Sequence, residues 1–465
     1  MINLRLALRN LLRNRRRSAA TLLAMLIGTC AILLFGGFSA SIRYSMHTEY
    51  VRSGGHLQIQ HRDFYLYGSG NPTAYGIHEY GRILDAIRAD PDLREKVLVA
   101  TPALQFGGIA GNYTAGVSKT VLGIGTVASD NDRMREWNGL DLPLPSTRFD
   151  LRGAPGDSAI LGVGLARVLH LCKELQVADC PQPAGAPSAE SSESLPDDIA
   201  DLSALEGGQA PPQAGGLPKI ELLASHSGGA PNVVSLVVLK AERQGFKELD
   251  EALLLLHLEQ AQRLVYGRSA PEATSLRVQL RDSATMNEAK ERLQELLRKA
   301  SPGQPLVVMD FYELNPFYVQ TLAMFNMIFG FIFALIGAIV LFTVSNTMNT
   351  AVVERTVEIG TVRAMGVRQR GVEGLFILEG TLLGAAGTVA GALLALVLAY
   401  VVNRLGLTWL PPGSGDRLPL LLLVSNEREM ILETIAGLIA IATVSAWWPA
   451  RRAARLKIVD ALRHV

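Results

Sequence analysis

Glu354-Arg355-Thr356-Val357-Glu358-Ile359-Gly360-Thr361-Val362-Arg363-Ala364-Met365-Gly366 is a short, charged, helix-compatible stretch wedged between two long apolar runs. One run, 317–344, precedes it, and the other, 375–402, follows it. Each exceeds the roughly 20 apolar residues that cross a bilayer. A charged segment clamped between two spans sits at a membrane face, where a soluble partner can push on it.

Two more apolar segments, 19–42 and 430–448, complete a set of four. The chain has 465 residues, of which 49% are hydrophobic, and its mean hydropathy is +0.23. The membrane signal is therefore local. A formal net charge of +1 points to no polyanionic partner, and no nucleic-acid binding is expected. The long polar stretch between the first two apolar runs is large enough for one or two folded lobes.

Basic residues set the orientation. Arg5, Arg9, Arg13, Arg15, Arg16 and Arg17 precede the first run. Arg355, Arg363, Arg368 and Arg370 separate the second from the third, and Arg451, Arg452, Arg455, Lys457 and Arg463 follow the fourth. If all four runs span, these regions share one side, the cytoplasmic one by the positive-inside rule. The predicted fold class is an α-helical membrane domain of four transmembrane helices with a large α/β (α+β) external domain between the first and second spans. Its parts are an amphipathic N-terminal helix 1–18, spans 19–45, 317–348, 373–403 and 429–449, and the external domain 46–316. A cytoplasmic helix 349–372, an external loop 404–428 and a cytoplasmic tail 450–465 complete it.

Leu4, Leu8, Leu11 and Leu12 alternate with Arg5, Arg9 and Arg13, which suits a helix on an anionic leaflet. A plain helical start to the first span fits the same residues. Arg15–Arg17 and Ser39-Ala40-Ser41 have the features of a signal peptide, but the apolar run is too long for a signal core, so an uncleaved anchor is expected.

Within the external domain, 56–60 and 276–280 alternate like strands. The segment 97–124 reads as glycine-punctuated strands, 158–171 as a strand entering a helix, and 233–239 as a buried strand. Tyr80–Ala89 has Ile83, Leu84 and Ile87 at helical spacing, with Pro91 expected to end it. Met286–Ala300 places Ala289, Leu293, Leu296 and Leu297 on one face. The segment 181–218 is rich in Pro, Gly and acidic residues and holds no Lys or Arg, so it reads as a flexible insertion. Cys172 and Cys180 lie just before it, at the edge of the loop, and an oxidising compartment favours their disulfide. Cys30 lies inside the first span as a small apolar residue.

No catalytic, cofactor or metal site emerges. The chain has no G-x-x-x-x-G-K-[ST] phosphate loop. Leu205-Glu206-Gly207-Gly208-Gln209 has the look of an ATPase signature, but Pro211 and Pro212 forbid the helix that should follow. The His residues form no H-x-x-x-H pair. Glu379 is a carboxylate inside a span, near its cytoplasmic end. Its expected role is to accept a hydrogen bond from a neighbouring helix. Gly380, Gly384, Gly387 and Gly391 make a small-residue face on the same helix, suited to close packing in lipid. Asn326 is a second candidate for a hydrogen bond across a helix interface. One carboxylate and no polar stripe argue against a pore.

Three motifs together resemble the permease subunits of FtsX/MacB-type ABC transporters, also called mechanotransmission or type VII systems. The first is Glu354-Arg355, Glu358-Ile359-Gly360 and Arg363-Ala364-Met365-Gly366, followed by Glu379. The second is Pro449-Ala450-Arg451-Arg452-Ala453-Ala454-Arg455 with Asp460-Ala461-Leu462-Arg463. The third is Leu6-Ala7-Leu8-Arg9-Asn10-Leu11-Leu12-Arg13. Gly54-Gly55-His56-Leu57-Gln58-Ile59 resembles the lipoprotein-releasing, Lol-type branch.

The resemblance implies a multi-pass bacterial inner-membrane protein with its large domain periplasmic. It implies a partner cytoplasmic ATPase dimer that carries ATP and Mg, and a second permease, either identical or related. Cargo would be a lipoprotein or another hydrophobic molecule taken from the membrane. Glu354, Arg355, Glu358, Ile359, Arg363, Met365 and Gly366 would sit in a groove of the ATPase, and this chain would not itself be an enzyme. Two other readings stay open: the permease of a tripartite drug or toxin pump, and an FtsX-like regulator of a periplasmic hydrolase.

Overall fold

The computed structural model describes residues 7, 9–10, 15–139, 141–142, 148–177, 180, 216–226, 228–244, 247–409 and 417–458. The chain divides into two compact units. One comprises Met1–Met46, Phe317–Trp409 and Leu418–Val465, and the other His47–Pro316 and Leu410–Arg417. The chain enters with α1 (Arg15–Gly54). The second unit then runs β1 (Leu57–His61), α2 (Tyr80–Ala89), α3 (Pro91–Lys96), β2 (Val97–Asn112), β3 (Val117–Thr126), α4 (Ala128–Arg135), β4 (Ser158–Gly162) and α5 (Val163–Val168). It continues with β5 (Lys219–Ser225), β6 (Pro231–Glu242), β7 (Leu253–His257), α6 (Leu258–Tyr266), β8 (Ser275–Leu280), α7 (Met286–Ala300) and β9 (Leu306–Asp310). Then come α8 (Pro316–Glu354), α9 (Thr356–Ala364), α10 (Gln369–Leu405) and α11 (Arg428–Ala454).

The long strand β2 organises the second unit. From Val97 to Ala103 it pairs antiparallel with β8, and β1 and β9 extend that sheet. From Ala103 to Asn112 it pairs with β3, and at Gly108–Gly111 its other edge pairs with β5. The series β5–β6–β4–β7–β3 then returns to β2, so the strands close a ring. Closure removes the open edges that a sheet otherwise has to protect. Leu104, Phe106 and Ala110 of β2 share one core with Ile220, Leu222, Leu236, Val238, Leu254 and Leu256. Gly123 on β3 makes room for this packing, because a Cβ there would lie 2.2 Å from the Phe106 ring. The β8–β1–β9 sheet has its own core, in which Leu57, Ile59, Leu276 and Val278 lie under Ile83 and Ile87 of α2 and Leu293 and Leu297 of α7. One strand thus serves two cores.

The alternating segments form strands, and α2 and α7 have the expected bounds and inward faces, with Leu296 partly buried. Pro91 does more than end a helix. It opens α3 as its first residue, with Asp90 accepting the backbone N–H groups of Asp92 and Leu93. The segment 233–239 departs from the expected buried strand. Within β6 only Leu236 and Val238 are buried, and Val233 is exposed, because one face of the ring wall is open. Strands β5, β7 and β9 had no sequence reading. Cys172 and Cys180 are joined by a disulfide. Residues 181–215, Leu205–Gln209 among them, lie outside the described residues, as do 410–416, 459–465 and most of 1–14.

In the first unit, among the described residues, four helices are long and apolar enough to cross a membrane: Ser18–Gly54, Pro316–Glu354, Gln369–Leu405 and Arg428–Ala454. These outrun the predicted spans. Helix α1 has 40 residues, about 60 Å at 1.5 Å each, against roughly 30 Å of hydrocarbon. It continues through the division of the units to Gly54. There Gly55 takes φ +78°, and a Cβ would lie 2.8 Å from the Val278 carbonyl oxygen. The shared core of the unit includes Met25, Ile32, Val340, Val344, Leu383, Leu438, Ala442 and Ala446. Hydrogen bonds join the helices: Thr21 to Thr347 at 2.7 Å, Ser345 to the Ser445 carbonyl at 2.9 Å, and Thr381 to Thr443 at 3.0 Å. Arg43 pairs with Glu427 at 2.6 Å. Asn326 is exposed rather than bonded across the bundle.

Candidate functional site

The predicted helix 349–372 is not continuous. The helix of the second span runs to Glu354, Arg355 leaves helical geometry (φ −106°, ψ 14°), and α9 begins at Thr356. Val352, Val353 and Val357 surround the break, and β-branched residues favour a helix weakly. Helix α9 ends in a Schellman turn: the Val367 N–H donates to the Val362 carbonyl at 3.3 Å, and the Gly366 N–H to that of Arg363 at 3.0 Å. Gly366 supplies the required positive φ, +98°. A new helix, α10, starts at Gln369. The predicted single helix is therefore three pieces, of which the middle one is short.

The site residues divide between two faces of α9. Glu354, Glu358, Met365 and Gly366 are exposed. So are Val353, Val357, Val362 and Val367, which add an apolar component to that surface. Val353 lies at the end of α8 and Val357 at the start of α9, so the break at Arg355 separates them and their four-residue spacing does not by itself set a common face. Ile359 points inward to the helix core. Arg363 is partly buried, and its guanidinium donates to the Leu456 carbonyl just beyond α11.

Arg355 also turns inward. It is 6% exposed, so it does not contribute to an outer docking face. Its Nη1 lies 3.1 and 3.2 Å from the two carboxylate oxygens of Glu379, which is 1% exposed. Asn10 closes the cluster. Its Nδ2 donates to Glu379 Oε1 at 2.6 Å, and its carbonyl accepts from Arg355 Nη2 at 3.2 Å. A carboxylate is tolerated here because a guanidinium and an amide face it. Three segments distant in sequence meet at this point. The sequence reading foresaw a hydrogen bond to Glu379 and missed both Arg355 and Asn10 as its sources.

The glycines on α10 face two helices. A Cβ on Gly380 would lie 2.4 Å from the Ala446 Cβ, and one on Gly384 2.7 Å from the Ala442 Cβ, both on α11. One on Gly387 would lie 2.7 Å from the Met25 Cβ, and one on Gly391 2.6 Å from the Leu26 oxygen, both on α1. Backbone approach this close is what small residues provide in a membrane bundle.

The Gly54–Ile59 motif forms a second polar centre, in the second unit. His56 Nδ1 accepts the Leu280 N–H at 3.0 Å, so its proton sits on Nε2, 2.9 Å from Ser283 Oγ. His47 Nε2 approaches the same hydroxyl at 3.1 Å. Burial, reinforced by His47 and opposed by Asp282, pushes the His56 pKa down to about 3. Among the described residues no group of His, Cys, Asp and Glu is arranged to hold a metal ion.

Residues 327–458 match the family model for the FtsX-like permease C-terminal segment. The chain is similar to the lipoprotein-releasing system transmembrane protein LolC of Xylella fastidiosa, 24% identical over 51% of this chain and 57% of that protein. It is also similar to the macrolide export ATP-binding/permease protein MacB of Nitrobacter winogradskyi, 27% identical over 50% of this chain and 34% of that protein. The chain thus spans little more than half the length of the LolC protein it matches and less of the MacB protein. The periplasmic region of MacB from Actinobacillus actinomycetemcomitans aligns with 57% of this chain and 94% of its own length, at 11% identity and a TM-score of 0.32. The resemblance to FtsX/MacB-type permeases stands on the matched C-terminal segment, which contains the break at Arg355, α9, α10 and α11. With four apolar helices, the chain is an inner-membrane protein with a large periplasmic domain.

Proposed function

We propose that this chain is the permease subunit of an ABC transporter that moves its periplasmic domain with work from a separate cytoplasmic ATPase dimer. The observation that carries the reading is the exposed surface of α9. With the end of α8 before it and the turn after it, it presents Glu354, Glu358, Val353, Val357 and Met365 as exposed residues within a segment matched as FtsX-like permease. A mixed acidic and apolar surface between two spans suits a groove of a soluble protein. ATP and Mg belong to that partner, so this chain works as a transport subunit and not as an enzyme by itself.

Motion reaches the periplasmic side through two helices. Helix α1 passes through the division between the units, and α8 starts at it. Helix α8 exposes Met327, Phe331 and Phe342, which would face lipid or a second permease. The cargo is a lipoprotein or another hydrophobic molecule taken from the outer leaflet, a reading supported by the similarity to LolC. Similarity to MacB keeps export through a tripartite assembly as the second reading.

The test is purification of the full chain from its own membranes, with identification of what accompanies it. An ATPase retained by the complex, and held less tightly by the Glu358→Lys chain, supports the reading. No ATPase in the wild-type preparation sinks it. Bound lipoprotein favours release from the membrane, and a periplasmic adaptor favours export.

A further inference from the structure

Apart from Ile359 in the helix core and the Arg363 bond to the Leu456 carbonyl, the surface helix α9 has three attachments. Its N-terminal end joins α8 at Arg355, a residue outside helical geometry, and its C-terminal end joins α10 through the exposed turn at Gly366. Each link is a single run of backbone: at Arg355 the N–H donates to the Ala351 carbonyl at 3.2 Å and the carbonyl accepts from Ile359 at 2.9 Å, and at Gly366 the chain turns through its two Schellman bonds. The third is not covalent: the Arg355–Glu379 pair with Asn10. Glu379 lies ten residues into α10, about 15 Å along its axis at 1.5 Å per residue. It belongs to the body of the third span and not to its frayed end.

We propose that this cluster is a force-transmitting joint, in which Arg355, Glu379 and Asn10 act as positioning residues that make α10 and Asn10 follow α9. The inference rests on the reading that an ATPase pushes α9. When a hinge residue is free, a push on the short helix is absorbed by rotation at the hinge. Here the hinge residue is itself anchored. Pulling Arg355 from Glu379 would strand two charges where they are nearly excluded from solvent, at 6% and 1% exposure. The pair therefore resists extension, and displacement of α9 is shared with α10 before the turn at Gly366 can take it up. Asn10 shares the same load, because it bonds the carboxylate with its side chain and the guanidinium with its carbonyl. The geometry also explains why a costly ion pair is kept where apolar side chains would pack: a purely structural contact needs no charge.

That difference supplies the experiment. Single variants such as Arg355→Met strand a charge and destabilise the chain, so the informative variant is the neutral pair Arg355→Met/Glu379→Gln. Its glutamine keeps an oxygen for the Asn10 amide. Full-length chains with Thr361→Cys on α9 and Val389→Cys on α10, spin-labelled, are reconstituted with the co-purifying ATPase. The interlabel distance and the ATP turnover are measured with and without ATP. In the wild-type background the two labels move together, and the distance stays constant when ATP is added. In the neutral pair, with folding and ATPase retention preserved, the distance changes on ATP addition and coupled turnover falls about tenfold, within the range of site-to-site coupling. An unchanged distance with wild-type turnover in the neutral pair overturns the joint alone. A neutral pair that cannot fold or retain the ATPase also overturns it, since the cluster is then structural. Absence of any ATPase from the wild-type complex overturns both the joint and the function on which it rests.

Discussion

Arg355 and Glu379 show how a residue's chemistry is decided by what faces it. In sequence the arginine belongs to a charged, apparently solvated helix, and the glutamate to an apolar run. In the structure each is the other's solvent, 3.1 Å apart. Removing one partner leaves a buried charge, so Arg355→Met alone should cost about 3–5 kcal/mol of stability. The neutral pair Arg355→Met/Glu379→Gln should recover most of that loss. Thermal melting of the purified chain in detergent measures both, and equal losses in the single and paired variants would refute the assignment. His56 gives a second prediction. Its folded pKa of about 3 lies below its ordinary 6.5, so the fold favours the neutral ring. This contribution is fully present above pH 6.5 and is lost as pH falls toward 3. Protonation also puts a hydrogen on Nδ1, which opposes the Leu280 N–H. Melting temperature should fall on acidification, with a contribution approaching about 1.4 kcal/mol per pH unit. His56→Gln, which retains an acceptor and a donor, should flatten that slope relative to wild type.

Among the elements, those with a strong period of their own were legible. Helices α2 and α7 declare themselves through Ile83, Leu84 and Ile87 and through Ala289, Leu293 and Leu297, because one buried face sets the spacing. Strand β7 did not: Leu253-Leu254-Leu255-Leu256 is apolar throughout, since Leu254 and Leu256 enter the ring core while Leu255 packs against the separate cluster of Phe149, Leu151 and Ile160, so both faces are covered. The double role of β2 was equally silent, as pairing with β8, β3 and β5 is decided by distant segments. For α9 the charged outer residues were legible, but the inward turn of Arg355 was not, because it depends on a carboxylate 24 positions away. A coupling role for α9 predicts that Glu358→Lys leaves the chain folded and lowers ATP-dependent cargo movement by about tenfold. Gly366→Ala should act through the backbone, because nothing lies within 4 Å of a Cβ there while φ is +98°. The expected cost is about 1 kcal/mol, with partial loss of coupling. Melting curves and turnover in the reconstituted complex separate the two effects. A Glu358→Lys complex with wild-type turnover and movement would remove α9 from the mechanism.

At the scale of the molecule, the charge pattern and the helix count make one argument. Among the described residues four helices have membrane length, and if each spans, the segments between them alternate between two sides. The basic groups around α9 and after α11 would then share the cytoplasmic face by the positive-inside rule, and His47–Pro316 would take the other. A disulfide in that stretch agrees with the oxidising side. The arrangement predicts opposite accessibility for two exposed positions. In a Cys30→Ala background, Gly70→Cys should react with a membrane-impermeant maleimide in cells with a permeable outer membrane. Thr361→Cys on α9 should react only after the inner membrane is opened. Positions 70 and 361 are both exposed in the folded chain, so burial does not account for a difference between them. Labelling of Thr361→Cys in intact spheroplasts would place α9 outside, beyond the reach of any cytoplasmic ATPase. The orientation, the coupling surface and the joint at Arg355 would then fail together.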